Sequence, residues 1–429
     1  MTFLISSLRR ALTSSSSILA SAPPRSTFDS IHNEIIKKEL VSLIQQDTLK
    51  GGIQVAAYLH GKPIVNVYAG FRDGTNTLPV NDETLFMGFS VAKGVACTAL
   101  CILESKELFD FDDKVTNIWP NFASPGSTKS SKSNMSIAEA AGYRGGMPEH
   151  PSLFDQFMWH RNGGWKSHWK EGINYIENYI PVVKTSDVEA TYHPLSFSWI
   201  LGGIIEAADP CNRHISQVVY DDIALPLGYP HSMYLGRLPE KRSHTNRAKL
   251  VPLISFKKDQ TWKDRLNGII DCEVMCLLGN SKFFSEISLP SSNGFFTAAS
   301  LAAMYSCWTH DNGVILDSTM RRRVIDRIAS PHLFKSELSR FATKGLSGYR
   351  DSLGFHPYAH EEEELYGENA ASIIGCSGAG GNVAFADPIS GLSFAVLLSD
   401  YKETRDGGLD VAIRLANVLR ENIAKDVQS

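Results

Sequence analysis

The sequence predicts a mixed α/β fold of the α+β type, with an antiparallel sheet flanked by helices and a large helical insertion. Short runs of β-branched and apolar residues lie near both ends of the chain, at 53–68 and at 372–398. The long region between these two groups has mostly helical spacing of its apolar residues. If the distant strands share one sheet, the helical region is an insertion, and a ligand site is expected where sheet and insertion meet.

The first half of the chain begins with an amphipathic helix and a strand pair. Apolar residues at helical spacing predict a helix over Ile31–Ile44 that ends before two consecutive glycines. The runs Ile53–Tyr58 and Pro63–Tyr68 are joined by His60-Gly61-Lys62, which is typical of a hairpin. A continuous apolar stretch then predicts a buried helix over Val91–Leu103.

The second half returns to strands after further helices. A segment rich in Ser, Lys, Gly and Pro at Ser124–Ser136 predicts an exposed loop. The remaining predicted elements are the helices Leu301–Trp308 and Met320–Ile328, the strands Ser372–Gly375, Asn382–Ala386 and Leu392–Leu398, and a closing helix Gly408–Ile423.

The chain of 429 residues divides into a leader and one large domain. Residues 1–28 contain no acidic residue but three arginines and the serine run Ser14–Ser17, a composition typical of a mitochondrial targeting peptide. A disordered tail on a cytoplasmic protein is the alternative. Residues 29–424 are expected to form a single domain, with a sheet lobe at about 29–89 and 290–424 and a helical lobe at about 90–289.

Composition excludes several classes of function. The 42 basic and 46 acidic residues leave a net charge of −4, which indicates neither nucleic acid nor anionic lipid as a partner. The apolar stretches are too short and interrupted to span a bilayer, so no integral membrane segment is expected. Seven cysteines, an odd number, favour buried free thiols in a reducing compartment. The 13 histidines include no metal-binding spacing such as HExxH, so neither a metal nor another cofactor is expected.

The pattern Ser-x-x-Lys occurs four times, and its context distinguishes one copy from the others. Ser90–Lys93 follows a strand-like approach and opens the apolar helix, so both side chains share one helix face. An apolar setting favours the neutral amine of Lys93, which can accept the proton of the Ser90 hydroxyl. The other three copies lack a strand-like approach followed by an apolar helix and are interpreted as surface residues. They are Ser167–Lys170, Ser255–Lys258 and Ser399–Lys402.

The competing interpretation of Ser90 is structural. A serine at a helix start commonly accepts a backbone N–H as an N-cap, and Lys93 would then be a solvated residue of the first turn. The choice between the two interpretations depends on the motifs that accompany the pair.

Several further segments accompany Ser90–Lys93 in a fixed order along the chain: Thr84-Leu85-Phe86 before it, then Met135–Pro148, Tyr192-His193-Pro194, Leu225–Gly228, Asn293-Gly294 and Gly375–Pro388. Together these motifs resemble the serine β-lactamase-related family, which includes class C β-lactamases, penicillin-binding proteins, and esterases and peptidases, with Tyr143 in place of a histidine of the family pattern. The resemblance runs from about Ile31 to the last helix and implies a β-lactamase/transpeptidase-like fold.

The resemblance implies a serine hydrolase that needs no cofactor and forms an acyl-enzyme with a small-molecule or peptide substrate. Ser90 is the implied nucleophile, Lys93 its general base and Tyr192 the proton relay. The implied oxyanion hole consists of the backbone N–H groups of Ser90 and Ala379. Substrate binding is expected from residues adjacent to these motifs, namely His193, Cys376, Ser377 and Gly378.

Two departures from the family pattern narrow the expected chemistry. Pro194 stands where an asparagine is frequent, and Cys376 stands where the third motif begins with lysine or histidine. A thiol supplies neither positive charge nor a strong hydrogen-bond donor. Hydrolysis of β-lactams is therefore not expected, whereas hydrolysis of neutral esters or amides is. The alternative is a weakly active or inactive member that serves as a binding or scaffold module. Neither Ser377 as the nucleophile of an α/β-hydrolase nor Cys376 as a papain-like nucleophile has the required sequence context.

Overall fold

The computed structural model describes most of the chain outside the N-terminal segment. The described residues are 25–46, 48–73, 77–123, 131–181, 192–239, 246–252, 262–311, 313–329, 373–402 and 409–428.

A six-stranded antiparallel sheet is the centre of the fold. Its strands come from both ends of the chain, as the sequence predicts, and the fold class is confirmed. In spatial order they are β1 (Arg25–Ser26), β3 (Lys62–Ala69), β2 (Ile53–Leu59), β10 (Leu392–Leu398), β9 (Asn382–Asp387) and β8 (Ile374–Gly378).

Twelve α-helices are present in the described ranges, most of them in the insertion. They are α1 (Ile31–Gln45), α2 (Val91–Ser105), α3 (Val115–Ile118), α4 (Ile137–Ala141), α5 (Leu153–Asn178), α6 (Phe197–Ala208), α7 (Ile215–Val219), α8 (Trp262–Asn280), α9 (Lys282–Glu286), α10 (Ala298–Thr309), α11 (Ser318–Ala329) and α12 (Asp410–Gln428).

One face of the sheet carries a row of valines. Each of the strands β3, β2, β10 and β9 contributes one valine to this row, in the order Val67, Val55, Val396 and Val383. All four belong to the core shared with α1 and α12. Because successive residues of a strand point to opposite faces, the residue one step along each strand belongs to the other face. The β-branched row explains why these segments form strands and why the two terminal helices cover this face.

The opposite face carries small residues and lies under the buried helices of the insertion. Ala56, Ala395 and Ala384 are neighbours across the sheet, and Cys376 of β8 continues their row. Helix α10 packs on these strands and α2 packs on β8. Short side chains allow the helices to approach closely, which brings the start of α2 to the edge strand β8.

Two small sheets connect the parts of the fold. The first is a three-stranded antiparallel sheet of β4 (Phe86–Met87), β7 (Phe295–Phe296) and β5 (Met233–Tyr234), of which β4 directly precedes the turn to Ser90. The strands β6 (Val251–Pro252) and β11 (Asp400–Tyr401) pair in parallel. The first of these sheets fixes the entry of the chain into α2.

Several boundaries expected from the sequence are wrong. Strand β1 pairs with β3, so folded structure already includes Arg25–Ser26 rather than beginning at Asp29. The edge strand runs over Ile374–Gly378 and ends three residues later than expected, because its backbone continues to pair with β9 as far as Asn382. Its expected first residue, Ser372, lies outside the described residues. The last helix runs over Asp410–Gln428 rather than ending at Ile423.

Two expectations about exposure are also wrong. Residues 124–130 of the expected loop Ser124–Ser136 lie outside the described residues. In the described remainder, Ser131–Asn134 form a helical turn and the Lys132 side chain is buried. Ser399 is not at the surface, because its hydroxyl is buried and accepts a hydrogen bond from the Gly52 N–H at 2.6 Å. Lys132 and Ser399 both form hydrogen bonds with the backbone of distant segments. The Lys132 amine donates to carbonyls at the end of α5. The pair Ser255–Lys258 lies outside the described residues.

All seven cysteines lie in the described residues as free thiols, and Cys211 alone among them is exposed. In the described part of the chain, no helix combines the length and the apolar character needed to cross a membrane.

Candidate active site

A sharp turn before α2 presents the Ser90 hydroxyl. Phe89 has φ of +48°, a left-handed conformation that is rare for a side chain of this size. Neighbouring backbone holds the turn: Phe89 forms an isolated bridge with Asn293, and the Gly88 N–H donates to the Gly294 carbonyl at 2.9 Å. Such strain persists where surrounding structure fixes it, and functional sites are common locations.

The structure contradicts the N-cap interpretation of Ser90. Its backbone is already helical, at φ −67° and ψ −10°, and its side chain makes no capping hydrogen bond. Lys93 is fully buried rather than solvated. The Ser90 hydroxyl is therefore available for contacts on the face of the helix that it shares with Lys93.

Three polar groups form a closed triangle at this point. Ser90 Oγ and Tyr192 OH are 2.7 Å apart. Lys93 Nζ lies 2.8 Å from Tyr192 OH and 3.1 Å from Ser90 Oγ. The two motifs are 102 residues apart in sequence, and the fold brings them within proton-transfer distance of each other.

Two backbone carbonyls orient the amine of Lys93. Its amine donates to the Ser291 carbonyl at 2.9 Å and to the Pro194 carbonyl at 3.1 Å. A neutral amine has two hydrogens and one lone pair. The two carbonyls accept both hydrogens, which leaves the lone pair to accept a hydrogen bond from one of the two neighbouring hydroxyls. Burial lowers the pKa of Lys93 from 10.5 to about 7, while the thiols of Cys376 and Cys97 oppose that shift.

Serines that the sequence analysis did not single out support these carbonyls. Ser291 Oγ donates to the Pro194 carbonyl at 2.8 Å, and Ser198 Oγ lies 2.7 Å from Ser291 Oγ. The only signal in the sequence is that Ser291 lies two residues before Asn293-Gly294. The contribution of Pro194 is through its backbone carbonyl, which residue identity does not reveal.

The end of β8 lies directly against the turn that presents Ser90. A Cβ placed on Gly378 would lie 2.4 Å from the Gly88 carbonyl oxygen and 3.1 Å from the Ser90 nitrogen. Only glycine allows this approach, which brings the following residue, Ala379, beside the start of α2. Gly378 is therefore a spacing residue between two backbones, and the prediction that it contacts substrate is not supported.

Cys376 and Ser377 lie on opposite faces of β8. Cys376 continues the alanine row, and its Sγ lies 3.4 Å from where a Gly94 Cβ would be, so it packs on α2. Ser377 pairs with Val383 in the valine row and thus faces the terminal helices. Both residues are fully buried, which argues against the predicted side-chain contacts with substrate.

His193 is a structural residue in this arrangement. It is fully buried, and its Nε2 accepts a hydrogen bond from the Met147 N–H at 3.0 Å. The ring of Tyr143, whose φ is +62°, lies 5.6 Å from the ring of Tyr192 and 5.9 Å from that of His193. The predicted contact between His193 and substrate is therefore not supported, and His193 instead holds the loop that packs on Tyr192.

Replacing His193 by alanine is expected to destabilise the fold by about 1–3 kcal/mol, because the Met147 N–H loses its acceptor in a buried position. Urea denaturation of both proteins measures this difference. A direct substrate contact would produce a different result, a higher KM with unchanged stability.

Comparison with known proteins agrees with this geometry. A family model described as beta-lactamase matches residues 40–418. The chain belongs to the beta-lactamase family. A relative in this family is the esterase/beta-lactamase LipL of Mycobacterium tuberculosis, 23% identical over 367 residues that cover 81% of this chain and 76% of LipL.

Solved structures of the family share the fold. A family VIII carboxylesterase matches with a TM-score of 0.73 at 20% identity, covering 93% of this chain and 99% of its own. A penicillin-binding protein homolog from Caulobacter crescentus matches with a TM-score of 0.71, also at 20% identity and with the same coverage. The D-amino acid amidase of Ochrobactrum anthropi matches with a TM-score of 0.62 at 16% identity, covering 93% of this chain and 100% of its own. Membership in this family makes the chain a serine hydrolase.

Proposed function

We propose that the chain hydrolyses uncharged carboxylic esters or amides through an acyl-enzyme, with Ser90 as nucleophile and Lys93 as base. The closed triangle of Ser90 Oγ, Lys93 Nζ and Tyr192 OH supports this proposal most directly. Burial of an ionisable amine costs free energy. A protein that serves only as a scaffold does not need an amine in contact with two hydroxyls.

Acylation begins when the Lys93 lone pair takes the proton of Ser90, either directly or through the Tyr192 hydroxyl. Ser90 Oγ then bonds to the substrate carbonyl carbon, and the carbonyl π electrons move onto its oxygen. The N–H groups of Ser90 and Ala379 stabilise this oxyanion. As the tetrahedral intermediate collapses, Tyr192 delivers a proton to the leaving oxygen or nitrogen, and Lys93 replaces that proton.

Deacylation uses the same groups in reverse. A water molecule loses a proton to the Tyr192–Lys93 pair and attacks the ester carbon. The bond to Ser90 Oγ breaks, the acid product leaves, and Ser90 recovers its proton from the pair. Each half of the cycle therefore balances its own proton: the Ser90 proton is replaced by one delivered to the leaving group in acylation, and the water proton is passed to Ser90 in deacylation.

The preference for uncharged substrates rests on Cys376. Where the family pattern has lysine or histidine, this chain has a buried thiol that packs on α2. A thiol cannot form a charge-assisted hydrogen bond with a substrate carboxylate, a type of bond that contributes about 1.5–3 kcal/mol. Substrates that carry a carboxylate beside the scissile bond, including β-lactams, are therefore expected to bind this chain about 10- to 100-fold more weakly than they bind a protein with lysine or histidine at this position.

A fluorophosphonate probe tests the nucleophile. The wild-type chain is expected to gain one phosphonyl group, which peptide mass spectrometry locates on Ser90, and the Ser90→Ala variant is expected to remain unlabelled. Short- and long-chain nitrophenyl esters, amino-acid amides and a chromogenic β-lactam then rank the substrates. Equal labelling of both proteins would falsify the assignment of Ser90.

The pH dependence of kcat/KM reports Lys93. Because the neutral amine is the base and its pKa is lowered to about 7, protonation below pH 7 is expected to reduce kcat/KM by about tenfold per pH unit. Above this pH the rate reaches a plateau. A rate that is constant from pH 5 to pH 8 on a stable ester would contradict a titrating lysine base.

A further inference from the structure

Tyr143 lies just after α4 and has a strained backbone conformation inside the helical lobe. Its φ is +62°, in the left-handed region that aromatic residues rarely adopt, and the residue is only 2% exposed. Before it, the Gly142 N–H donates to the Ala138 carbonyl at 2.8 Å. After it, the Arg144 N–H donates to the Glu139 carbonyl at 3.0 Å. A strained residue that its surroundings hold in this way is a candidate for a functional role.

The loop that follows Tyr143 is bound to the segment that carries Tyr192. The Met147 N–H donates to His193 Nε2 at 3.0 Å, and the Ser196 hydroxyl donates to the Met147 carbonyl at 2.7 Å. All three of these residues are fully buried, so water does not compete for the two hydrogen bonds. Such bonds fix the chain after Tyr192 but not the torsions of its side chain, so packing against its ring decides where its hydroxyl lies.

The ring of Tyr143 supplies packing of this kind. It stacks on Phe197 with ring centroids 4.8 Å apart, and it lies 5.6 Å from the Tyr192 ring at an interplanar angle of 50°. Tilted and offset contacts are the favourable geometries for aromatic pairs. The Tyr192 hydroxyl is 2.7 Å from Ser90 Oγ and 2.8 Å from Lys93 Nζ, and a displacement of about 1 Å is enough to impair catalysis. The packing of Tyr143 therefore bears directly on proton transfer.

We propose that Tyr143 is a positioning residue for Tyr192, and that its ring keeps the Tyr192 hydroxyl in place to protonate the leaving group. This role rests on the proposed hydrolysis, in which Tyr192 delivers that proton. Since Lys93 Nζ also contacts Ser90 Oγ directly, at 3.1 Å, a displaced Tyr192 impairs departure of the leaving group more than it impairs activation of Ser90. A nitrophenolate leaves without a proton, whereas an alkoxide requires one. The expected signature is therefore a dependence on the leaving group.

Two esters of the same acid, a nitrophenyl ester and a methyl ester, measure this signature through kcat/KM, which reports the steps up to the acyl-enzyme. Tyr143→Leu removes the ring and is expected to lower kcat/KM about 10- to 100-fold on the methyl ester but less than about threefold on the nitrophenyl ester. Tyr143→Phe keeps the ring and is expected to stay within about twofold of the wild type on both. Tyr192→Phe has no proton to deliver and is expected to show the selectivity of Tyr143→Leu to a larger degree.

Phe111→Leu is the matched control, because it also removes a buried ring. Phe111 is 2% exposed, packs 6.0 Å from the ring of Phe109, and follows the end of α2 that is remote from Ser90. The variant is expected to lower the melting temperature without changing the ratio of the two kcat/KM values. This ratio separates a positioning role from a general contribution to stability.

Fluorophosphonate labelling keeps the two proposals apart. Absence of labelling at Ser90 in the wild type would refute the hydrolysis itself. A Tyr143→Leu protein that is labelled at Ser90 but retains the wild-type ratio of the two kcat/KM values overturns the positioning role alone. A Tyr143→Phe variant that loses as much as Tyr143→Leu also overturns it, because the hydroxyl and not the ring would then be responsible. If Tyr143→Leu does not fold, Phe197→Leu decides: it removes the ring on which Tyr143 stacks and is expected to shift the ratio in the same direction, and an unchanged ratio contradicts the proposal.

Discussion

Replacement of Lys93 by methionine is expected to lower kcat/KM by about 10³- to 10⁴-fold and to slow fluorophosphonate labelling of Ser90 to a similar degree. Methionine has nearly the length of lysine but no basic atom, so the Ser90 proton loses its acceptor, and general-base catalysis contributes up to about 10⁴-fold. Steady-state hydrolysis of a nitrophenyl ester and the rate of probe labelling measure the two effects.

Lys132 provides a matched control for this variant. It is also buried, and its amine donates to the Ile176 carbonyl at 2.6 Å and to the carbonyls of Glu177 and Tyr179 at 3.2 Å. Burial lowers its pKa to about 8. Lys132→Met is therefore expected to cost stability but to retain kcat/KM per folded molecule. If both variants lost activity equally, loss of a buried lysine rather than of the base would explain the result.

The fold could largely be predicted because its signals are local. The β-branched runs around Val55 and Val396 alternate with smaller residues, and this pattern determines both the strands and the faces that they bury. The end of β8 could not be predicted in the same way. Its residues 376–378 are Cys-Ser-Gly, which have weak strand preference, and only pairing with β9 makes them a strand.

At the candidate site, side chains could be predicted from the sequence, but contributions of the backbone could not. Ser90 and Lys93 were predicted from the spacing and apolar context of their motif, and Tyr192 from the resemblance to the family. The structure brings all three side chains together. The carbonyls of Pro194 and Ser291, which orient the Lys93 amine, carry no sequence signal because every residue has a carbonyl. Burial of Cys376, Ser377 and His193 depends on packing between distant segments, which residue type alone does not reveal, and their contact with substrate stays a prediction.

Gly378→Ala is expected to lower kcat/KM by about 10²- to 10³-fold while leaving Ser90, Lys93 and Tyr192 in place. The new Cβ would lie 2.4 Å from the Gly88 carbonyl oxygen, so β8 has to move away from the turn that presents Ser90. The two N–H donors of the oxyanion hole then separate, and loss of one such donor costs about 10²- to 10³-fold in kcat. Ester hydrolysis and probe labelling both measure this loss.

Gly203→Ala distinguishes loss of the oxyanion hole from simple steric damage. Its new Cβ would lie 2.4 Å from a ring carbon of Trp119, an equally close contact in the helical lobe. It is expected to lower the melting temperature without lowering kcat of the folded enzyme, since the site is not displaced. Comparable melting temperatures for the two variants, with a loss of kcat only in Gly378→Ala, would assign the effect to the alignment of Ser90 and Ala379. A Gly378→Ala variant that retained full kcat would show that β8 supplies no oxyanion donor.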